Sequence, residues 1–188
     1  EIAQSESYIG HHWCNYWMHV MHLNTTSGKM SKSKGEFLTV SLLEQKGYDP
    51  LAYRLFCLQS HYRKNLVFSW ENLDNAMGTY QKLIAKIAAL KPSDEPIDED
   101  AVTALREKFN KALGNDLNTS LGITALYDVL KYQTNDATKL YLLDDFDKVL
   151  SLDLLKKAEA EREKKEKAAS QQSAGGFTVV SEDGTADE

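Results

Sequence analysis

The chain has 188 residues, enough for one ordinary domain or for a small domain with attached pieces of another. Hydrophobic residues at 42% and charged residues at 27% are globular values, and no apolar run approaches the roughly 20 residues of a membrane helix, which excludes one. With 22 basic against 28 acidic residues the net charge is −6, so a globally basic nucleic-acid binder is excluded and any nucleic-acid contact must be one-sided. Local basic patches remain at 29–34, which holds Lys29, Lys32 and Lys34, and at 61–64, His-Tyr-Arg-Lys. Two cysteines, Cys14 and Cys57, are too few for a disulfide framework and point to a reducing compartment, the cytoplasm by default. The opening residues lack an initiator Met, a basic stretch and an apolar signal core, so the chain is expected to be cut from something longer.

Residues 1–9 fit a helix. Residues 16–23, Tyr-Trp-Met-His-Val-Met-His-Leu, are aromatic-rich without a helical stripe and predict a buried strand that enters a turn at Asn24-Thr25-Thr26-Ser27-Gly28. Phe37-Leu38-Thr39-Val40 reads as a short strand before a helix at 41–46. From Asp49 the period becomes helical: Asp49 is an N-cap, Pro50 takes the first helical position, and Leu51, Leu55, Phe56 and Leu58 share a face.

A helix near 70–90 starts at the cap Ser69 and carries Leu73, Met77, Tyr80, Leu83, Ile84 and Ile87. The next, 98–113, carries Val102, Leu105, Phe109 and Leu113 and should stop at Gly114 as its C′ glycine. Helices at 119–132, with Leu121, Ala125, Leu126, Val129 and Leu130, and at 136–150, with Leu140, Leu143, Phe146 and Val149, complete an antiparallel bundle. Residues 156–167 have the composition of a solvated helix held by i,i+4 pairs, linker rather than core, and the polar tail from Ser170 predicts disorder or a mobile loop. The organisation is therefore 1–40, a segment containing the lysine-rich loop; 41–150, the helical bundle; and 151–188, a charged helix and flexible linker.

Lys29-Met30-Ser31-Lys32-Ser33, between Gly28 and Gly35, suits a mobile anion clamp: compact ammoniums neutralise phosphate oxygens, and serine hydroxyls and loop amides add donors. Ile9-Gly10-His11-His12 superficially resembles a nucleotide-binding HIGH tetrapeptide, but no strand precedes it as that motif requires. His11, His12 and Cys14, with His19 and His22 nearby, match no standard zinc spacing and are read as core or surface groups. His61-Tyr62-Arg63-Lys64 either meets a nucleic-acid backbone or the lysine loop, or makes structural ion pairs; Trp70 and Tyr80 are assigned to the core.

The pentapeptide resembles KMSKS, the second signature of class I aminoacyl-tRNA synthetases. Glu1-Ile2-Ala3-Gln4-Ser5-Glu6, Tyr16-Trp17-Met18-His19, His61-Tyr62-Arg63 and Gly114-Asn115-Asp116-Leu117-Asn118-Thr119 are similar, in order and spacing, to cysteinyl-tRNA synthetases. The likeness covers about residues 1–150, with Lys34 and Glu36 standing where an apolar residue and Asn are frequent. The resemblance implies a mainly α chain: the KMSKS region, with a short strand pair, ends a class I Rossmann-type catalytic domain, and a tRNA-binding type of helical bundle follows.

It further implies a monomeric cytoplasmic enzyme that activates L-cysteine with ATP and magnesium and transfers it to tRNA(Cys). Lys32 would be the principal ATP lysine, Lys29 would assist in catalysis, and Met30, Ser31 and Ser33 would shape the ATP loop. Glu1 would be one zinc ligand of a site whose other ligands are absent here, so the chain is expected to bind zinc negligibly, and without the HIGH segment and most of the cysteine pocket it is expected to be inactive alone. The rival readings are a mycothiol-type ligase that gives cysteine to an amino-sugar, and a non-catalytic tRNA- or protein-binding helical module.

Overall fold

The computed structural model describes residues 1–25, 28–29 and 39–174. In chain order they form α1 (Ile2–Ile9), β1 (Leu23–Thr25), β2 (Gly28–Lys29), α2 (Val40–Gln45), α3 (Pro50–Leu58), β3 (Leu66–Phe68), α4 (Trp70–Ala88), α5 (Glu99–Gly114), α6 (Thr119–Lys131), α7 (Asp136–Leu150) and α8 (Leu154–Ala174). This is the mainly helical architecture expected from the sequence, with a bundle after a small strand region.

Helices begin where a short polar side chain precedes an apolar period, because its oxygen satisfies an orphan N–H of the first turn. Thr39 accepts from the Leu42 amide, Asp49 from Leu51, Ser69 from Asn72, Asp98 from Ala101, Asn118 from Leu121 and Asn135 from Thr138, at 2.8–3.1 Å. Asp49 also takes an ion pair from Lys157 at 2.5 Å, tying α8 to the start of α3. Asp49→Ala is expected to cost about 1–2 kcal/mol in urea unfolding, and Asp49→Asn less, since it keeps the cap. Equal losses would assign the whole effect to the ion pair.

The main core joins α3 to α8 through Leu55, Leu83, Ile87, Phe109, Leu126, Phe146 and Leu154, all buried. Phe109 and Phe146 stack at 4.0 Å and 8°, closing α5 on α7. A second cluster of Leu43, Phe56, Phe68, Leu73 and Ala76 seats β3 against α2, α3 and α4. The sheet order is β2-β1-β3: β1 runs antiparallel to β2 and parallel to β3, with Leu23 opposite Leu66 and Asn24 opposite both Val67 and Lys29. The third strand, β3, lies within 41–150, the span expected as helical bundle, between the helix that starts at Pro50 and the one that starts at Trp70.

Several expectations are corrected. The strand expected at 16–23 exists only from Leu23; Trp17, Met18, Val20 and Met21 are exposed. A strand needs a partner ladder, and β3 supplies one only from Leu66. Of the strand expected at Phe37–Val40, Phe37 and Leu38 lie outside the described residues, while Thr39 caps α2 and Val40 opens it. Gly114 is the last helical residue of α5, and the left-handed conformations fall on Asp116 (φ 54°) and Leu117 (φ 52°) instead.

Helix α8 is more than linker, and it continues past Ser170 to Ala174; residues 175–188 lie outside the described set. Leu152, Leu154 and Ala158 are fully buried. Arg162 Nε donates to the Ala88 carbonyl at 3.0 Å, and the Tyr80 hydroxyl to that of Leu152 at 2.7 Å. Asp147 closes the turn before α8, its two oxygens accepting from the Leu152 and Leu154 amides at 2.6 and 2.8 Å. The first two turns of α8 thus have an apolar stripe that the charged composition of 156–167 hides.

Candidate functional site

Lys29 ends β2, the second arm of the hairpin whose first arm is β1, and its backbone lies opposite Asn24. Met30, Ser31, Lys32 and Ser33 lie outside the described residues, as do Lys34 and Glu36. The lysine segment therefore leaves a hydrogen-bonded hairpin, and the chain is next described at the Thr39 cap of α2.

Glu1 is the N-cap residue of α1, exposed and without a side-chain capping bond. Gly10, in the left-handed region at φ 74°, closes this helix, so Ile9-Gly10-His11-His12 is a helix end and not a strand-to-helix turn. His12 Nδ1 meets Glu6 Oε1 at 2.8 Å and Cys14 Sγ donates to the Tyr16 carbonyl at 3.0 Å. Among the described residues no three of His, Cys, Asp and Glu gather as a metal site. One carboxylate does not make a zinc centre.

Residues 61–63 converge on Asp116 in a largely exposed ion-pair node. The Tyr62 hydroxyl donates to Asp116 Oδ1 at 2.6 Å, Arg63 Nε reaches Asp116 Oδ2 at 2.8 Å, and His61 Nε2 lies 3.8 Å from the same oxygen. The Arg63 amide donates to His61 Nδ1 at 3.2 Å, and the His61 ring stacks on Tyr62 at 4.8 Å. Of the two open alternatives for this tetrapeptide, structural ion pairing is the one these contacts display. Trp70 and Tyr80 take the core positions assigned to them, Tyr80 buried and Trp70 packed partly buried against the second cluster. Sequence reading missed the partnership because Tyr62 and Asp116 are 54 residues apart, beyond any local period.

The Tyr62 hydrogen bond, and after it Arg63, holds the Asp116 carboxyl below its ordinary 3.8. A carboxyl depressed in the folded state contributes stability above the unfolded value and loses it as pH falls through the folded one. The thermal midpoint should therefore drop below pH 3.8 less steeply in Asp116→Asn than in the parent chain. Identical slopes would remove Asp116 from the acid response.

Behind the node lies an apolar cavity of about 370 Å³, lined by Met21, Leu23, Tyr53, Cys57, Leu117 and Val149 among others. Burial pushes the Tyr53 hydroxyl up to about 12 and raises the Cys57 thiol, so neither is an ionised nucleophile near neutrality. Among the described residues the geometry offers a hydrogen-bonded placement for Lys29 and no ionised nucleophile at this cavity.

A family model described as the class I (C) tRNA synthetase catalytic domain matches residues 1–78, from α1 into α4. A cysteine–tRNA ligase of Novosphingobium aromaticivorans is 40% identical over 167 residues, covering 82% of this chain and 34% of that protein. Cysteine–tRNA ligase 1 of Burkholderia lata is 37% identical over 155 residues, covering 82% and 32%. One from Thermococcus gammatolerans is 38% identical over 141 residues, covering 69% and 29%. The chain spans about a third of the length of these curated relatives. No described helix is long and apolar enough to cross a membrane.

Proposed function

The chain belongs to the cysteinyl-tRNA synthetase family, and we propose that it serves an enzyme that activates L-cysteine with ATP and transfers it to tRNA(Cys). The observation that carries the reading is a literal KMSKS sequence leaving the β1–β2 hairpin at Lys29, inside the segment matched to the class I catalytic domain. The cysteine carboxylate displaces pyrophosphate from the α-phosphorus of magnesium-bound ATP, forming cysteinyl adenylate; the acyl group then passes to the terminal adenosine of the tRNA. In-line displacement asks the protein for positioning and charge neutralisation. Lys32 and Lys29 stabilise the leaving pyrophosphate, and Met30, Ser31 and Ser33 shape the loop around ATP.

Residues 41–150 form the surface offered to tRNA, and Glu1 would be one ligand of a zinc site whose other ligands this chain does not contain. The enzyme is proposed to act in the cytoplasm as a monomer. The test is cysteine-dependent exchange of pyrophosphate into ATP by the full-length protein. Exchange that needs cysteine supports the reading, and exchange stimulated by another amino acid instead would replace it.

A further inference from the structure

We propose that Asp116 is a positioning residue for the lysine hairpin, acting through Tyr62, Arg63 and the β3–β1 pairing; this rests on the nucleotide role given above to Lys29 and Lys32. Asp116 and Leu117 are successive non-glycine residues at positive φ, a conformation that needs surrounding contacts to persist. Asp116 supplies those contacts: Tyr62 Oη binds one of its oxygens and Arg63 Nε the other. From there the path to the lysines is continuous. The Tyr62 carbonyl accepts from the Met21 amide at 3.0 Å, two residues before β1 begins. The same segment becomes β3, which pairs with β1 from Leu23 to Thr25, and β1 pairs in turn with β2 at Lys29.

The turn between α5 and α6 therefore fixes the register of the hairpin from which the KMSKS sequence departs. An exposed ion pair adds little to global stability, so the convergence of these donors on one carboxylate is read as geometric control. Lys108 and Asp128, 2.6 Å apart, form an ion pair between α5 and α6 that involves no residue of β1 or β3, and it provides the control.

The experiment compares Asp116→Gly, which keeps positive φ accessible while deleting the carboxylate, with Asp116→Asn, which keeps an acceptor for Tyr62, and with Asp128→Asn. By hydrogen exchange of the 188-residue chain, the Met21 amide should exchange roughly tenfold faster in Asp116→Gly, less so in Asp116→Asn and unchanged in Asp128→Asn, with core amides of α4 and α6 unaffected. In the full-length enzyme, single-turnover adenylate formation should slow roughly tenfold in Asp116→Gly with the KM for cysteine unchanged, and Asp116→Asn should restore part of the rate. Unchanged Met21 exchange, or a slowing shared equally by Asp128→Asn, overturns the proposal. Normal adenylate formation by the parent enzyme with an unaffected Asp116→Gly rate overturns this inference alone, whereas a parent enzyme that forms no cysteinyl adenylate overturns the functional reading and this inference with it.

Discussion

Lys32→Ala in the full-length enzyme is expected to slow adenylate formation roughly a hundredfold, the loss of about 3 kcal/mol typical of one preorganised electrostatic donor. The reason lies in the leaving group. Pyrophosphate gains charge as its bond to the α-phosphorus breaks, and a lysine that meets it as that charge develops favours the transition state over the ground state. Cysteine binding should change little. Lys32→Arg should rescue only in part, because a planar guanidinium does not replace a compact ammonium. Lys34→Ala, one residue beyond the pentapeptide, should be mild. Rapid-quench measurement decides the matter: a normal rate in Lys32→Ala, or equal slowing in both alanine variants, would contradict the role assigned to this loop.

Phe146→Ala carries the largest stability effect, about 3–5 kcal/mol, because it removes one ring of the buried Phe109 stack and leaves a cavity between α5 and α7. With small domains stable by only about 5–15 kcal/mol, the variant should lose much of its cooperative unfolding transition. Val149→Ala, three residues on but 55% exposed, should cost under about 0.5 kcal/mol. Urea titration followed by circular dichroism compares them, and similar midpoints would mean that α7 does not close the core as described.

The contrast between Phe146 and Val149 also marks how far the sequence reading carries. Helical spacing places Leu55, Leu83, Ile87, Phe109, Leu126 and Phe146 in the core, and the caps Asp49 and Ser69 fall where they were read, because period and capping are local signals. It also lists Leu121 and Val149, which are exposed, and omits Leu142, Leu152 and Leu154, which are buried. Burial at the edge of a stripe depends on how helices cross, which no single helix encodes. Strand β3 is too short to show an alternation, and β1 takes its limits from it. The KMSKS pentapeptide is legible as a literal motif, while Met30 to Ser33 lie outside the described residues. Asp116 was legible only as part of a family-like segment, since its partners Tyr62 and Arg63 are set by tertiary structure.

The most direct test of the central claim is to follow labelled L-cysteine, with ATP and magnesium, in the full-length enzyme offered tRNA(Cys). The account predicts cysteine attached to the terminal adenosine of the tRNA in an ATP-dependent reaction, strongly slowed when Lys29 and Lys32 are both changed to Ala. Cysteine delivered to an amino-sugar acceptor while the tRNA stays uncharged would contradict it.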